Sequence, residues 1–366
     1  MNCRVTCLVR AIVVYVACGV PLSVRCADQP PEPLAKNHMR VMYYIDEQGN
    51  EQRVKSAEDW ERRRQDIVRG LEAGMGSLPD RSSLGPVRYE TVPGSRVDEE
   101  TLSYEKLMID VGDNDRLPAL LFVPKTIRGK AAGIVAIHQT NGALGKNEVA
   151  GLGGNPNLHY GIELARRGYV VIAPDYPTLG EYKYDFNADR FISGSMKGIW
   201  NHMRCVDLLT ERPDVDPQRI GAIGHSLGGH NSIFLGVFDQ RVKVVVSSCG
   251  WTPHHDYYAG NLAGWAGERY LPRFRDVYGL DPNRVPFDYY ELISALAPRG
   301  FFSCSPIGDS NFAVIGVKKT MPVAQEVYEL LGAGDRLQAR YPECGHDFPQ
   351  QVRMEAYEFI DRMLAP

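Results

Sequence analysis

The feature that most constrains this chain is residues 224–228, of sequence Gly-His-Ser-Leu-Gly, which lie between two apolar segments. Residues 220–223 have the length and composition of a buried strand, and residues 231–237 those of a helix. Gly-x-Ser-x-Gly between a strand and a helix forms a sharp, strained turn that exposes the serine hydroxyl. Glycine fits on either side because a Cβ there would collide with the strand or the helix. The motif therefore predicts a nucleophile at Ser226.

Apolar runs and helical patterns alternate along much of the chain. Short apolar runs that indicate buried strands occur at residues 133–138, 169–175, 220–223, 241–247, 300–305 and 337–341. Helical patterns between most of them favour a mostly parallel central sheet flanked by helices. Residues 104–110 and 117–124 read as two antiparallel edge strands joined by a turn at 112–115. In parallel sheets, sites lie at the carboxyl ends of the strands.

The first residues have the pattern of an export signal. Two arginines accompany an apolar stretch, 11–24, that is too short to span a bilayer comfortably. We therefore expect a signal peptide over residues 1–27, and a periplasmic or secreted protein whose mature chain has no membrane span. A helical N-terminal extension over residues 28–85 is predicted next, because residues 56–59 resemble a capping box and apolar side chains follow at helical spacing.

Residues 86–366 are predicted to form the catalytic domain, with an insertion at about 250–290. This connection is much longer than an ordinary one, so we expect it to form a cap over the carboxyl ends of the strands. The aromatic side chains of the cap either stack on a sugar or an aromatic ring, or only pack the insertion onto the core. Two substrate contacts are predicted: Trp251 in this insertion, and His225 in the Gly-x-Ser-x-Gly turn, the nucleophile elbow.

A serine nucleophile needs a base that accepts its proton and a carboxylate that orients the base. With this type of elbow the order along the chain is nucleophile, acid, histidine. His346 follows the last predicted strand and Asp309 follows the strand before it, so these residues are the predicted base and acid. Asp335 and Glu343 are the competing acids. Asp335 precedes a strand, which places it at the opposite edge of the sheet.

The oxyanion of the transition state needs two backbone N–H donors. Leu227, which begins the helix after the serine, supplies one of them. The second is expected from the loop after the strand at 133–138, with Thr140 as first choice and Gln139 as second.

Charge and cysteine spacing exclude other classes of function. The formal net charge is −4, and no basic run is present, which argues against a nucleic-acid partner. The chain has no Cys-x-x-Cys pair, so we expect no zinc site, redox motif or cofactor. Adjacent His254 and His255 diverge on most backbones, and we expect no metal there. Buried free thiols are the default expectation for the cysteines outside the N-terminal segment, and the sequence leaves open both disulfide pairing and the oligomeric state.

Together these residues resemble the α/β-hydrolase superfamily, and within it the dienelactone-hydrolase-like and acetyl-xylan-esterase-like group of secreted bacterial esterases. The resemblance runs from about residue 117 to the C-terminus. Its specific matches are residues 173–176, 224–230, 309–312 and 345–347. The resemblance implies an α/β-hydrolase fold, a triad of Ser226, Asp309 and His346, and an acyl-enzyme on the serine that water hydrolyses. Dienelactone hydrolase itself uses a cysteine, so the serine here implies ordinary carboxylic esters.

We therefore expect a serine carboxylic-ester hydrolase that acts on small-molecule or polysaccharide-linked esters, acylated carbohydrates among them. One alternative is a serine peptidase of the prolyl-oligopeptidase type. Such enzymes usually carry a large N-terminal propeller, and the roughly 90 residues before the core are too few for several blades of about 40 residues. The other alternative is a binding protein on a hydrolase fold, which usually lacks the nucleophile or the base.

Overall fold

The computed structural model describes residues 37–46, 48–188 and 190–366. All of them belong to one compact unit, Glu32–Pro366. The predicted signal peptide lies outside the described residues. Within the described part, no helix combines the length and the apolar character that a membrane crossing requires.

The described residues form a small hairpin and one large mixed sheet. The hairpin joins β1 (Tyr43–Ile45) and β2 (Glu51–Arg53). The large sheet contains β3 (Tyr89–Thr91), β4 (Val97–Asp98), β5 (Leu102–Asp110), β6 (Arg116–Pro124), β7 (Ala131–Ile137), β8 (Val170–Pro174), β9 (Val215–His225), β10 (Val242–Ser248), β11 (Gly300–Cys304) and β12 (Leu337–Arg340). Its order is β12-β11-β10-β9-β7-β8-β6-β5-β3, and β4 also pairs with β5.

The pairing confirms a mostly parallel centre and corrects one detail. Strands β7 to β12 pair in parallel, whereas β3, β4, β5 and β6 pair antiparallel. The predicted hairpin of β5 and β6 is present. The prediction that both are edge strands is wrong, because β6 also pairs with β8, and β5 also pairs with β3 and β4.

Helices cover both faces of this sheet. They are α1 (Ala57–Met75), α2 (Lys146–Val149), α3 (Tyr160–Arg166), α4 (Gly194–Glu211), α5 (Leu227–Phe238), α6 (Arg273–Asp276), α7 (Tyr289–Ala295), α8 (Val314–Leu330) and α9 (Gln350–Met363). Successive side chains of a strand point to opposite faces, so Ile134 and Val135 of β7 enter two separate hydrophobic clusters. The core therefore has a layer on each face of the sheet.

The predicted helix after residue 55 is present as α1. Ser56 caps it, since its hydroxyl accepts a hydrogen bond from the N–H of Asp59 at 3.1 Å. A Cβ built on Gly70 would lie 2.4 Å from the carbonyl oxygen of Pro286, and one on Gly74 would lie 2.5 Å from the ring of Phe287. Glycine thus lets α1 lie directly against the segment that leads into α7.

A buried charge cluster joins the N-terminal segment to α7. His38 donates through Nδ1 to Glu291 at 2.8 Å and through Nε2 to the carbonyl of Val285 at 3.0 Å. Glu291 also pairs with Arg63 and accepts from the N–H of Asp288, completing the cap of α7. Burial alone would lower the pKa of His38, but the charge and hydrogen bond of Glu291 raise it to about 9.

This raised pKa predicts a loss of stability at alkaline pH. Below pH ~6.5, His38 is protonated in the folded and unfolded chain, and its contribution is fully present. Between that pH and about 9, the unfolded chain releases the proton first, so stability falls as pH rises, by at most about 3 kcal/mol. We expect His38→Gln to remove this slope from unfolding free energies measured between pH 6 and 9.5. His255→Gln, at an exposed histidine, is the matched control, and an unchanged slope in His38→Gln would contradict the assignment.

Candidate active site

Ser226 lies on the sharp turn between β9 and α5. Its backbone has φ +54° and ψ −116°, a conformation that L-residues rarely adopt. A Cβ on Gly224 would lie 2.2 Å from the carbonyl carbon of Gly228, and one on Gly228 would lie 1.9 Å from the carbonyl oxygen of Ile137. Both glycines of the motif are therefore required by close backbone approach, as the sequence predicts.

The backbone around the serine leaves the N–H of Leu227 without an acceptor in the helix. The N–H of Ser226 donates to the carbonyl of Ser248 at 2.8 Å, which fixes the turn to the end of β10. Leu227 is the first residue of α5, and its N–H has no acceptor within the helix. Leu227 and Ser226 line the same cavity, which is compatible with the oxyanion role predicted for this N–H.

The structure brings Asp309 and His346 together. Nδ1 of His346 is 3.0 Å from each carboxylate oxygen of Asp309. The N–H groups of Asn311 and Phe312 also donate to Asp309 Oδ1, at 2.8 and 3.2 Å. Burial would raise the pKa of Asp309, but the hydrogen bond and charge of His346 and these two N–H groups lower it below its ordinary value. The acid stays ionised, and Nε2 of His346 is left for another partner.

The competing acids lie elsewhere. Asp335 is in the turn Gly334–Arg336, which precedes β12 and therefore lies at its amino end. Glu343 is exposed on the loop after β12. The ring of His346 bonds to Asp309, which follows the carboxyl end of β11.

His225 contacts the candidate base but does not line the cavity that contains it. Its ring centroid is 4.7 Å from that of His346, and its Nδ1 is 3.0 Å from the hydroxyl of Ser248. Burial lowers the pKa of His225 to about 3, so its ring is neutral at ordinary pH. The predicted substrate contact at His225 is therefore corrected: its neutral ring is buried and packs against the ring of His346.

The loop after β7 has a fixed peptide orientation. The N–H of Tyr176 donates to Nε2 of His138 at 3.1 Å, so the proton of this buried, neutral ring is on Nδ1. Nδ1 in turn donates to the carbonyl of Gln139 at 2.5 Å. That carbonyl and the N–H of Thr140 belong to one trans peptide plane and point in opposite directions. The Thr140 N–H therefore points away from His138, which favours Thr140 over Gln139 as the second donor.

Glu148 holds the side chains on either side of Thr140. This buried carboxylate accepts from the amide of Gln139 at 2.9 Å and from that of Asn141 at 3.3 Å. Thr140 itself is exposed, and its hydroxyl is 2.9 Å from the hydroxyl of Tyr270 in the cap. Buried Glu148 thus binds the side chains of Gln139 and Asn141, while Tyr270 of the insertion binds that of Thr140 between them.

A cavity of about 330 Å³ contains the candidate nucleophile and base. It is lined by Gln139, Thr140, Ser226, Leu227, His230, Tyr257, Gly264, Trp265, Tyr270, Asn311, Phe312 and His346. Four of these, Tyr257, Gly264, Trp265 and Tyr270, come from the predicted cap insertion. None of the described lining residues is Asp, Glu, Lys or Arg. The cavity is therefore walled by aromatic and neutral polar groups.

The cap tryptophan in this lining is Trp265, not Trp251. The side chain of Trp251 is 1% exposed, and its Nε1–H donates to the hydroxyl of Ser303 at 3.0 Å. Its ring packs against Tyr289 and Phe301, with centroids 5.8 and 6.1 Å away. The predicted substrate contact at Trp251 is thus corrected, because the side chain of this residue, shortly after the end of β10, is buried in the core.

Several lining residues had no predicted role. His230 lies one helical turn after Ser226 on α5, and Asn311 and Phe312 follow the candidate acid. The i, i+4 spacing from Ser226 is the signal that could have placed His230 on the face of the helix that bears the serine. The ring of Phe312 lies nearly parallel to that of His346, with centroids 6.1 Å apart.

Candidate metal ligands meet at one place among the described residues. One ligand atom each of His225, Cys249 and His346 lies within 4.8 Å of the others. The thiol of Cys249 donates to the carbonyl of Asp347, and burial raises its pKa, which disfavours the thiolate that a metal needs. Nδ1 of His346 is already bonded to Asp309. These residues therefore fit a metal poorly.

The thiols of Cys205, Cys249, Cys304 and Cys344 are free, and all but the last are buried. The expected free thiols are present at these four positions.

The chain is similar to known hydrolases and esterases. A model of the prolyl oligopeptidase family matches residues 158–278, about a third of the chain. Over 301 residues the chain is 28% identical to YtaP of Bacillus subtilis (strain 168), a protein named as a hydrolase, covering 79% of this chain and 96% of that one. Over 344 residues it is 24% identical to a carbohydrate esterase from an unknown prokaryotic organism, covering 80% of this chain and 78% of the relative.

Solved structures show the same architecture. A glucuronoyl esterase from Solibacter usitatus superposes with a TM-score of 0.69 at 19% identity, covering 91% of this chain and 99% of that one. Acetyl xylan esterase 1 from Thermoanaerobacterium sp. JW/SL YS485 gives a TM-score of 0.53 at 16% identity, covering 82% and 94%. At these identities the likeness shows the fold.

Proposed function

We infer that this chain, a member of the α/β-hydrolase superfamily, is a serine hydrolase that cleaves carboxylic esters of carbohydrates. The observation that carries this proposal is the Asp309–His346 pair, which shares one neutral cavity with Ser226 on its strained turn. The relatives named as a hydrolase and a carbohydrate esterase support the reaction class and the carbohydrate substrate.

In the proposed acylation, Oγ of Ser226 attacks the ester carbonyl carbon while Nε2 of His346 takes the hydroxyl proton. The carbonyl oxygen becomes an oxyanion, which accepts hydrogen bonds from the N–H groups of Leu227 and Thr140. The bond to the alcohol oxygen then breaks, and the alcohol leaves with the proton held by His346. Asp309 accepts the Nδ1–H throughout and stabilises the imidazolium.

Deacylation repeats these steps with water. His346 Nε2 takes a proton from a water molecule, whose oxygen attacks the carbonyl carbon of the ester on Ser226. The same two N–H groups bind the second oxyanion. Its collapse breaks the bond to Oγ, returns the proton to the serine and releases the carboxylic acid.

The neutral cavity favours esters over peptide substrates that are recognised through a free terminus. A free ammonium or carboxylate in such a site needs an opposite charge, because an unpaired buried charge is costly. The described lining provides no Asp, Glu, Lys or Arg for this purpose. A peptidase remains the second candidate, because the prolyl oligopeptidase family model covers the elbow and part of the cap.

The proposal extends to the place of action. The apolar stretch at 11–24 and the basic residues around it support a signal peptide over residues 1–27 and a periplasmic or secreted enzyme. An exported enzyme meets acylated polysaccharides outside the cell. Residues 86–366 would be its catalytic domain, preceded by the helical extension.

A panel of esters and amides tests the reaction. We expect the purified chain to hydrolyse one or more acetyl, feruloyl, glucuronoyl or short-chain esters with kcat/KM at least ~100-fold above that for peptide amides. The panel is scored by initial rates at matched concentrations. Faster turnover of the amides would favour the peptidase, and hydrolysis of no substrate would favour a binding protein.

A further inference from the structure

We propose that Tyr270 of the cap is a positioning residue that sets the oxyanion loop through Thr140. This inference rests on the proposed serine-hydrolase function of the same cavity. A hydrogen bond of 2.9 Å joins the hydroxyl of Tyr270 to Oγ1 of Thr140, which lies 130 residues earlier in the chain. Both residues line the cavity that contains Ser226. The bond therefore links the insertion to the loop that supplies the second oxyanion donor.

Thr140 lacks the support that its neighbours receive from the core. Glu148 fixes the side chains of Gln139 and Asn141, and the latter also accepts from the N–H groups of residues 143 and 144. The side chain of Thr140 is exposed and points to the cap, where Tyr270 is its hydrogen-bond partner. The contact with Tyr270 thus restrains a side chain that Glu148 does not hold.

The backbone of Tyr270 is itself anchored. Its carbonyl accepts from the N–H of Ser195 at 3.1 Å, and the carbonyl of Glu268 accepts from the N–H of Gly194 at 2.8 Å. Between them, the carbonyl of Arg269 accepts from the hydroxyl of Tyr176 at 2.8 Å. Residues 268–270 are therefore tied to the start of α4 and to the end of β8, so Tyr270 presents its hydroxyl from a fixed base.

Close packing at the start of α4 reinforces this anchor. A Cβ on Gly194 would lie 2.3 Å from the carbonyl oxygen of Arg269, so only glycine allows the two segments to approach. The side chain of Arg269 also donates to the hydroxyl of Thr178 at 2.9 Å. The ring of Tyr270 has edge contacts with Trp265 and His230, whose centroids are 6.4 and 6.3 Å away. Both ends of the Tyr270 side chain are thus restrained.

A restrained Thr140 matters because an oxyanion donor acts only when its N–H is already aimed at the developing charge. His138 fixes the carbonyl end of the peptide that carries this N–H. Tyr270 fixes the side chain on the other end. Loss of the hydroxyl contact leaves substrate binding largely intact and weakens the transition state. The effect therefore appears in kcat more than in KM.

A double-mutant cycle of Tyr270→Phe and Thr140→Val tests this inference. Each change removes one hydroxyl and keeps the shape of the side chain. We expect each single variant to lose about 3–10-fold in kcat on p-nitrophenyl acetate, with a smaller change in KM. Because both remove the same bond, the double variant should lose no more than either single variant, within about twofold. Tyr278→Phe, which removes a cap hydroxyl bonded to the carbonyl of Ala73, is the matched control and should retain the wild-type kcat.

The rate of labelling by a fluorophosphonate is a second readout, since phosphonylation also places a developing negative oxygen in the oxyanion site. It should fall in parallel with kcat in both single variants. Multiplicative losses in the double variant, or a wild-type kcat in Tyr270→Phe, would overturn the positioning role alone. A wild-type protein that neither hydrolyses esters nor reacts with the probe would instead overturn the proposed function, and the positioning role with it.

Discussion

Ser226→Ala is expected to reduce kcat for p-nitrophenyl acetate by at least about 10⁴-fold, and to abolish labelling by fluorophosphonates. The reason is chemical: alanine provides no oxygen to attack the ester, so neither the acyl-enzyme nor its phosphonylated counterpart can form. The hydroxyl is not a packing element, because Ser226 lines an open cavity. We therefore expect the melting temperature to stay the same, because alanine keeps the Cβ that strains the turn at φ +54°.

Ser232→Ala is the matched control for this variant. It makes the same chemical change in α5, the helix that follows Ser226. There the hydroxyl donates to the carbonyl of Gly228 at 2.8 Å and does not line the cavity. This variant should keep its activity and its labelling. Undiminished ester turnover in Ser226→Ala, measured on a preparation free of contaminating esterases, would remove the serine from the proposed mechanism.

The sequence predicted most of what rests on local chemistry. The turn tolerates only glycine two residues before and after Ser226, and the strand and helix on either side identify the motif. Strands followed by helices predict a parallel sheet. The order nucleophile, acid, base then places Asp309 and His346 at the carboxyl ends of two neighbouring strands, β11 and β12. The structure brings these two side chains within 3.0 Å of each other.

The cavity wall was harder to predict, because it depends on contacts between distant segments. Trp251 and Trp265 look equivalent in the sequence, yet the first donates to Ser303 inside the core and the second lines the cavity. The position of β6 was missed for the same reason. Its antiparallel partner β5 is adjacent in sequence, whereas β7, α2 and α3 lie between β6 and β8. The hydrophobic pattern of the sequence predicts which face of a strand or helix is apolar, but not which other element packs against that face.

In the proposed enzyme, residues of the predicted cap choose the substrate, because they form one wall of the cavity that contains Ser226. The proposed triad forms an acyl-enzyme at the elbow, but a substrate must first fit between the elbow and Tyr257, Trp265 and Tyr270. The hydrogen bond between the hydroxyls of Tyr270 and Thr140 joins this wall of the cavity to the loop proposed to supply the second oxyanion donor. If Thr140 supplies the second oxyanion donor, as proposed, this bond connects substrate choice to transition-state stabilisation.

Asp309→Asn is the second change with a large expected effect, a loss of about 10³–10⁴-fold in kcat with little change in KM. An asparagine amide presents an N–H₂ group where His346 needs an acceptor, so it favours the tautomer whose proton is on Nε2. That nitrogen then cannot take the proton of Ser226. The asparagine oxygen can still accept from the N–H groups of Asn311 and Phe312, so the loop should keep its shape and the protein its fold.

The competing carboxylates provide the controls for this assignment. Asp335→Asn and Glu343→Gln make the same chemical change at exposed positions that do not contact His346 in the described structure. Both should retain wild-type kcat. The losses of Asp309→Asn and His346→Ala should also fail to multiply in the double variant, because each disables the same base. A large loss in Glu343→Gln with an active Asp309→Asn would transfer the acid role to Glu343.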